Sequence, residues 1–156
     1  MTIRKAVVSD APAVAAVHVD SWRTTYRGHM PDDVLDALSV ESRTSMWERL
    51  IPSGTVWVAL ADDEVVGFAS AGPSREPDAT HELYAIYFLE SAQGTGLAHP
   101  LAAAALEGLP DTIVWVLAGN QRARRFYERL GFTPDGTTRR ETLGDAVLDE
   151  VRYHRA

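Results

Sequence analysis

The sequence predicts a mixed α/β domain, and three observations predict it. Runs with strand character and runs with helical spacing follow the order β-α-α-β-β-β-α-β-α-β-β, which is not the regular βαβ alternation of a doubly wound sheet. The length of 156 residues falls within the range of one domain. With 46% hydrophobic and 24% charged residues, a chain of that size buries a core without a disulfide or metal staple.

The elements follow in order. Thr2–Val8 reads as a short strand closed by Ser9 and Asp10, with Ser9 the expected N-cap of a helix that carries Pro12 in its first turn. Val14, Val17, His18 and Ser21 fall on one face of that helix, with Trp22 a step further. Arg23–Pro31 carries turn residues at Gly28 and Pro31. A second helix is expected over Asp32–Leu50, with Ser39 the place where it breaks and its second half is capped. Thr55–Ala61 and Glu64–Ala71 form a hairpin about Asp62-Asp63. Gly72–Thr80 reads as a loop and His81–Leu89 as a buried strand. Ser91–Gly96 then turns into an Ala-rich helix ending near Gly108. Thr112–Leu117 is a strand, and Asn120–Leu130 is a helix stopped by Gly131. Phe132–Arg139 and Ala146–His154 close the chain as two strands around a Gly-Asp turn.

Composition excludes several functions. Without cysteine there is no thiol nucleophile, thiolate zinc site or disulfide scaffold, which suits a reducing compartment. Fifteen Lys/Arg against 22 Asp/Glu give a net charge of −7, so no general attraction to nucleic acid or anionic lipid is expected. The start MTIRKAVVSD has no apolar secretion core, and no apolar run reaches the ~20 residues of a membrane span. A cytoplasmic protein is expected. The five histidines, His18, His29, His81, His99 and His154, show no ligand spacing, so no metal is expected.

Two segments carry chemistry. In the first, a strand enters Gln93-Gly94-Thr95-Gly96-Leu97-Ala98 and continues into a helix. Glycines there allow a tight turn and close approach of a ligand, and amides at a helix start suit a pyrophosphate. The segment lacks the Gly-Lys-Ser/Thr ending of a nucleotide P-loop, so main chain rather than lysine would hold the phosphate. A plain strand-to-helix connection would look the same. In the second segment, Asn120 is a good N-cap, and Ala123, Phe126, Tyr127 and Leu130 form an apolar stripe. Arg122, Arg124 and Arg125 oppose the helix dipole in its first turns, a conflict that a docked anion relieves and a solvated face tolerates.

Together the segments resemble the acetyl-CoA-binding core of the GNAT N-acetyltransferase superfamily. Its Gln/Arg-x-x-Gly-x-Gly/Ala loop after the fourth strand corresponds to Gln93–Ala98. Its Asn-x-x-Ala-x-x-x-Tyr-x-x-x-Gly-Phe helix after the fifth corresponds to Asn120–Phe132. Order and spacing agree over essentially the whole chain. The resemblance implies a mostly antiparallel central sheet of about seven strands with four flanking helices, and acetyl-CoA as co-substrate. It further implies that Gly94, Thr95, Gly96, Leu97, Ala98 and His99 wrap the pyrophosphate with Gln93 and Arg122 nearby. Ile86, Tyr87 and Phe88 would pair with pantetheine in a gap between splayed strands. Asn120 would hydrogen-bond the pantetheine, and Tyr127 would protonate the departing thiolate. Tyr127 also reads as a core aromatic of the stripe. Homodimers are common in that family, although no dimer surface is visible in this sequence. His99-Pro100 departs from the pattern: Pro100 has no amide, and the usual basic residue is missing, which implies weaker CoA binding.

Acyl transfer needs a neutral amine, and deprotonating an amine of pKa ~10.4 at pH 7 costs ~4–5 kcal/mol. Glu82, eleven residues before Gln93, stands where many family members place a carboxylate base. Alternation would put it on one strand face with Tyr84, Ile86 and Phe88. Glu82 also reads as an edge carboxylate, and His81 is a second candidate that should face the other way. The acceptor site is expected from Ser21–Met30 together with the 72–80 loop, where Trp22 and Tyr26, i and i+4 on the first helix, would wall a pocket with Glu82 and Tyr84, or pack in the core. The expected function is an acetyl-CoA-dependent N-acetyltransferase acting on a primary amine, of a small molecule or of a peptide or protein, in a ternary complex. The alternatives are a catalytically weak acyl-CoA-binding module and a transferase with another acyl donor.

Overall fold

Seven strands join into one sheet in a computed structural model that describes residues 2–143 and 146–156. The strands are β1 (Thr2–Lys5), β2 (Val56–Ala61), β3 (Glu64–Pro73), β4 (His81–Phe88), β5 (Thr112–Leu117), β6 (Thr133–Leu143) and β7 (Ala146–Arg155). Their order across the sheet is β1-β2-β3-β4-β5-β7-β6. Every neighbouring pair is antiparallel except β4 and β5. The helices are α1 (Ala11–Tyr26), α2 (Asp32–Asp36), α3 (Val40–Leu50), α4 (Ala98–Leu106) and α5 (Gln121–Arg129). Five helices therefore stand where four were expected. The second breaks at Ser39, whose Oγ accepts the Ser42 N–H at 3.2 Å and caps α3.

Two boundaries differ from expectation for local reasons. β1 ends at Lys5, because Val8–Asp10 form a 3-10 turn rather than more strand. Asp10, not Ser9, occupies the N-cap of α1, and its carboxylate turns back to accept Val7 N–H (2.8 Å) and the Arg4 guanidinium (2.8 and 3.0 Å). At the other end α1 continues through Arg23 to Tyr26. Arg23 donates to the carbonyls of Leu35 (3.2 Å) and Leu38 (3.0 Å), so it ties α1 to the end of α2. The β2–β3 hairpin turns at Asp62 and Asp63, both left-handed (φ 51° and 63°), as a two-residue type I′ turn requires. The Gly144-Asp145 turn expected between β6 and β7 lies outside the described residues.

The sheet is covered on both faces. α4 and α5 pack Leu101, Leu106 and Tyr127 against Leu83, Val114 and Tyr153. On the opposite face, α1 and α3 pack Val14, Val17 and Trp47 against Val58 and Phe68, while Leu35 of α2 meets Leu117 and Leu148. Phe68, Phe132 and Tyr153 are fully buried, each contributing on the order of 1.5–3 kcal/mol of transfer free energy.

Two features of β4 shape the site. Opposite β3, Ser70 pairs with Ala85 but Ala71 pairs with Leu83, so Tyr84 is a bulged extra residue. The bulge breaks the alternation. Leu83, Ile86 and Phe88 share the α4–α5 face, whereas Ala85 and Tyr87 pack on the α1–α3 face. Glu82, neighbour of Leu83, therefore faces the α1 side with Tyr87, not the side of Ile86 and Phe88 that strict alternation implied. The second feature is divergence: β4 and β5 pair only at His81↔Thr112 and Glu82↔Ile113. Beyond those pairs the two strands separate.

Candidate active site

The divergence opens a cleft of about 750 Å³ between β4 and β5. Its walls are Ile86–Phe88 on one strand and Trp115–Leu117 on the other. Gln93 to His99 close one end, α5 from Asn120 to Tyr127 closes a side, and Thr24–Tyr26 with His29 close the α1 side. Ser21 fixes α1 to the rim of β4 by donating its hydroxyl to Phe88 O at 3.2 Å.

The glycine turn is preshaped. Gly94 and Gly96 are left-handed (φ 80° and 82°), and a Cβ added at either would meet no protein atom within 4 Å. The conformation requires glycine, and the space it leaves is open. Thr95 and Leu97 hold the turn rather than line it. The Thr95 hydroxyl donates to Ala92 O at 2.5 Å, and Leu97 is buried with Val66 and Ala92. Leu97 also occupies the N-cap of α4, where it offers no side-chain acceptor. The first N–H groups of α4, from Ala98 and His99, thus stay available for an anion, and Pro100, third in the helix, supplies none. Arg122 of α5 donates to Gln93 Oε1 and joins the helix to the turn.

Asn120 caps α5 through Oδ1, which accepts Ala123 N–H at 3.1 Å. Tyr127, on the buried stripe of the same helix beside Phe126 and Phe132, reaches the cleft with its ring. Burial, reinforced by the neighbouring Tyr87, pushes its phenol well above the ordinary range, so the hydroxyl stays protonated. Tyr26 lies in the same wall, its ring 4.7 Å from that of Trp22. Its phenol is also raised, by burial first and then by Tyr87, Glu150 and Tyr127.

Of the expected residues, Ile86, Tyr87, Phe88, Gln93, Gly94, Gly96, Ala98, His99, Asn120, Arg122, Tyr127 and Tyr26 line the cleft. Glu82, Tyr84 and Trp22 stand behind it. Glu82 is 1% exposed and clamped by Arg75: Oε1 accepts the backbone N–H and Nε (both 3.1 Å), and Oε2 accepts Nη2 (2.6 Å). Tyr84 donates to Pro73 O under the same guanidinium. His81 turns to Pro110 O (2.6 Å), away from the cleft. Trp22 packs with Met30, Leu35 and Tyr26, and its Nε1 is buried without a partner among the described residues.

Thr24, Thr25 and His29 come from the expected Ser21–Met30 segment, whereas no residue of the 72–80 loop lines the cleft. Trp115 and Leu117 are wall residues that sequence reasoning missed, their only signal being membership of a strand. Behind Trp115 the α1-side face of the sheet is strongly charged. Arg139 lies 4.2 Å over the Trp115 ring, and its Nε donates to Glu150 Oε1 at 3.0 Å. Arg152 is held by Glu76 (2.9 Å), Asp78 (2.7 Å) and Asp135 (2.6 Å), which pins the 74–80 loop to β7. Burial and the adjacent Glu141 raise the Glu150 carboxyl to about 7, against the pull of Arg139.

Comparison with known proteins agrees with this geometry. The model of the acetyltransferase (GNAT) family matches residues 15–132. The chain is 39% identical over 130 residues to the uncharacterized N-acetyltransferase YuaI of Bacillus subtilis (strain 168), covering 77% of this chain and 73% of that protein. It is 30% identical over 145 residues to the probable N-acetyltransferase Rv2775 of Mycobacterium tuberculosis, covering 87% and 82%. The crystal structure of ribosomal-protein-alanine N-acetyltransferase from Brucella melitensis superposes with a TM-score of 0.78 at 26% identity, over 99% of both chains. PaiA N-acetyltransferase from Thermoplasma acidophilum, solved in complex with coenzyme A, shares the fold (TM-score 0.70, 20% identity, 96% of each chain). With the family model spanning most of its length and N-acetyltransferases as its relatives, this chain belongs, as an enzyme, to the GNAT family of acetyltransferases.

Proposed function

We propose that the enzyme binds acetyl-CoA in the β4–β5 cleft and transfers its acetyl group to a primary amine by direct attack in a ternary complex. The observation that carries the reading is a coincidence of three features in one cavity. An unpaired edge of β4, an open glycine turn at the start of α4, and a protonated phenol on α5 all meet there.

Each feature fits a part of the co-substrate. The diphosphate suits the Gly94–His99 amides, helped by the dipole of α4 and by Arg122. Registered pairing of β4 with β5 stops at Glu82, so Ile86–Phe88 offer main-chain donors and acceptors to the pantetheine amides, with Asn120 opposite. The thioester supplies an activated carbonyl, and holding it beside the amine supplies much of the rate. PaiA and the Salmonella typhimurium YncA, the latter solved with acetyl-CoA, share this fold and support the same ligand here.

Tyr127 is the proposed proton donor to the departing sulfur. An ordinary phenol already gives its proton to a thiolate at a cost of ~2 kcal/mol, and the raised value here increases that cost. Tyr127 therefore works as a relay, releasing its proton as the new amide gives one up. The acceptor approaches from the α1 side, past Tyr26 and the carboxylates of that sheet face. Assay of free CoA release with acetyl-CoA and a panel of amines tests the reading; release with none of them removes it.

A further inference from the structure

We propose that Glu150, not Glu82, is the carboxylate that takes the proton from the acceptor amine. The inference rests on the acetyl-transfer reading above and adds the base to it.

Both carboxylates are buried on the α1-side face, 8% and 1% exposed. Neither lines the cleft, and their positions behind it differ. Glu82 stands opposite Ile113, where β4 and β5 are still paired and the cleft is closed. Glu150 stands opposite Leu117, a wall residue four positions further along β5, about 13 Å towards the open end. Their bonding differs too. Arg75 engages both Glu82 oxygens through three N–H groups, which occupy the lone pairs that substrate or water would need. Glu150 receives one guanidinium N–H, from Arg139 Nε, while Arg139 Nη2 goes to Glu141 Oε2 at 3.3 Å.

The groups that face Glu150 can be named from each element around it. β6 contributes Arg139 and Glu141, α1 contributes Tyr26, and β4 contributes Tyr87. Arg152, two residues along β7, is saturated by its own three carboxylates. β5 contributes the uncharged Trp115 and Leu117. Tyr26 and Tyr87 both line the cleft, and the charge of Glu150 raises both phenols, so its field reaches the wall where the amine must sit. A carboxyl lifted to about 7 by burial and Glu141 is half ionised at neutral pH. It narrows the gap to an ammonium of pKa ~10.4 by more than two units relative to an ordinary carboxylate.

The proton balance closes. One ammonium proton passes, through water, to Glu150, and the neutral nitrogen attacks the thioester carbonyl. The C–N bond forms, the C–S bond breaks, and the thiolate takes the Tyr127 proton. The amide nitrogen sheds its second proton to restore Tyr127, and Glu150 returns its own to solvent.

The test is the pH dependence of kcat/KM for a turned-over amine. The amine's own ionisation adds the same slope to every variant, so differences report the protein group. Wild type should show an acidic limb near pH 7. Glu150→Gln should lower kcat 10²–10⁴-fold and abolish the limb, with acetyl-CoA affinity by calorimetry unchanged. Glu141→Gln, an exposed change that removes a cause of the raised value, should move the limb to lower pH. It keeps the test decisive if Glu150→Gln fails to fold. Glu82→Gln should leave the limb where it is. A limb that survives Glu150→Gln, stays put in Glu141→Gln, or vanishes in Glu82→Gln overturns the assignment to Glu150 alone. A wild type that acetylates no amine overturns the acetyl-transfer reading and this base with it.

Discussion

Arg122, one residue into α5, donates its guanidinium to the carboxamide of Gln93, the residue before the glycine turn. The bond crosses the end of the cleft and leaves a permanent cation beside the amides of Gly94 and Gly96. A guanidinium in that position opposes the dipole of its own helix, a conflict that the diphosphate of the proposed co-substrate would relieve. Arg122→Ala should weaken acetyl-CoA binding about 10–100-fold, the ~1.5–3 kcal/mol of a hydrogen bond to a charged group, with little effect on kcat. Calorimetry at two salt concentrations checks it: the wild-type affinity should fall more steeply with salt than the variant's.

Tyr127 lies on a helix face whose other members, Ala123, Phe126 and Leu130, pack against the core, yet its ring also borders the cleft. Tyr127→Phe keeps the ring and removes only the hydroxyl. Stability should change by less than about 1 kcal/mol, and kcat should fall on the order of 10²–10³-fold at unchanged acetyl-CoA affinity. A kcat within a factor of two of wild type would return Tyr127 to a packing role alone.

Much of this site was readable from local chemistry. Ser39 and Asn120 both cap the helices they were expected to cap, because capping needs only one side chain and an amide three residues on. The glycine turn and the stripe on α5 were readable for the same reason. Glu82 was misplaced because strand alternation carries no mark of a bulge: Tyr84 is extra only relative to β3, a partner the local sequence does not specify. Ser9 lost the cap to Asp10 because Arg4, six residues away, selects the carboxylate. Trp115 comes to the cleft, and Glu150 to the charged face behind it, by tertiary contact only. Glu150 is an ordinary strand residue until β6 sets Arg139 directly opposite it.

The glycine turn gives a sharper test than its motif alone. At Gly96 the left-handed backbone penalises any larger residue by about 1–3 kcal/mol, while the surrounding space is empty of protein. Gly96→Val should therefore fold with a melting temperature lower by roughly 2–12 °C and lose acetyl-CoA binding by at least 100-fold. The valine methyls would occupy the space that a diphosphate needs. Near-native affinity in a folded variant would mean that the phosphates bind elsewhere.

His18 predicts a pH dependence of stability that is independent of catalysis. Its ring sits within an aromatic cage of Trp22, Trp47, Phe68 and Tyr87, and its Nδ1 accepts the Trp47 indole N–H at 3.2 Å. Burial, helped by the charge of Arg43, lowers its pKa to about 4, so it is neutral in the folded protein at pH 7. The unfolded chain releases its proton near 6.5, so between those values only the unfolded state binds it. The contribution of a neutral His18 is full above pH ~6.5 and is lost as pH falls towards 4, up to ~3 kcal/mol across that window. Thermal melts of the wild type should drop over that range. His18→Gln keeps an acceptor for Trp47 but cannot ionise, so its melts should fall less steeply over the same interval. Parallel curves for the two proteins would show that other groups govern the acid instability.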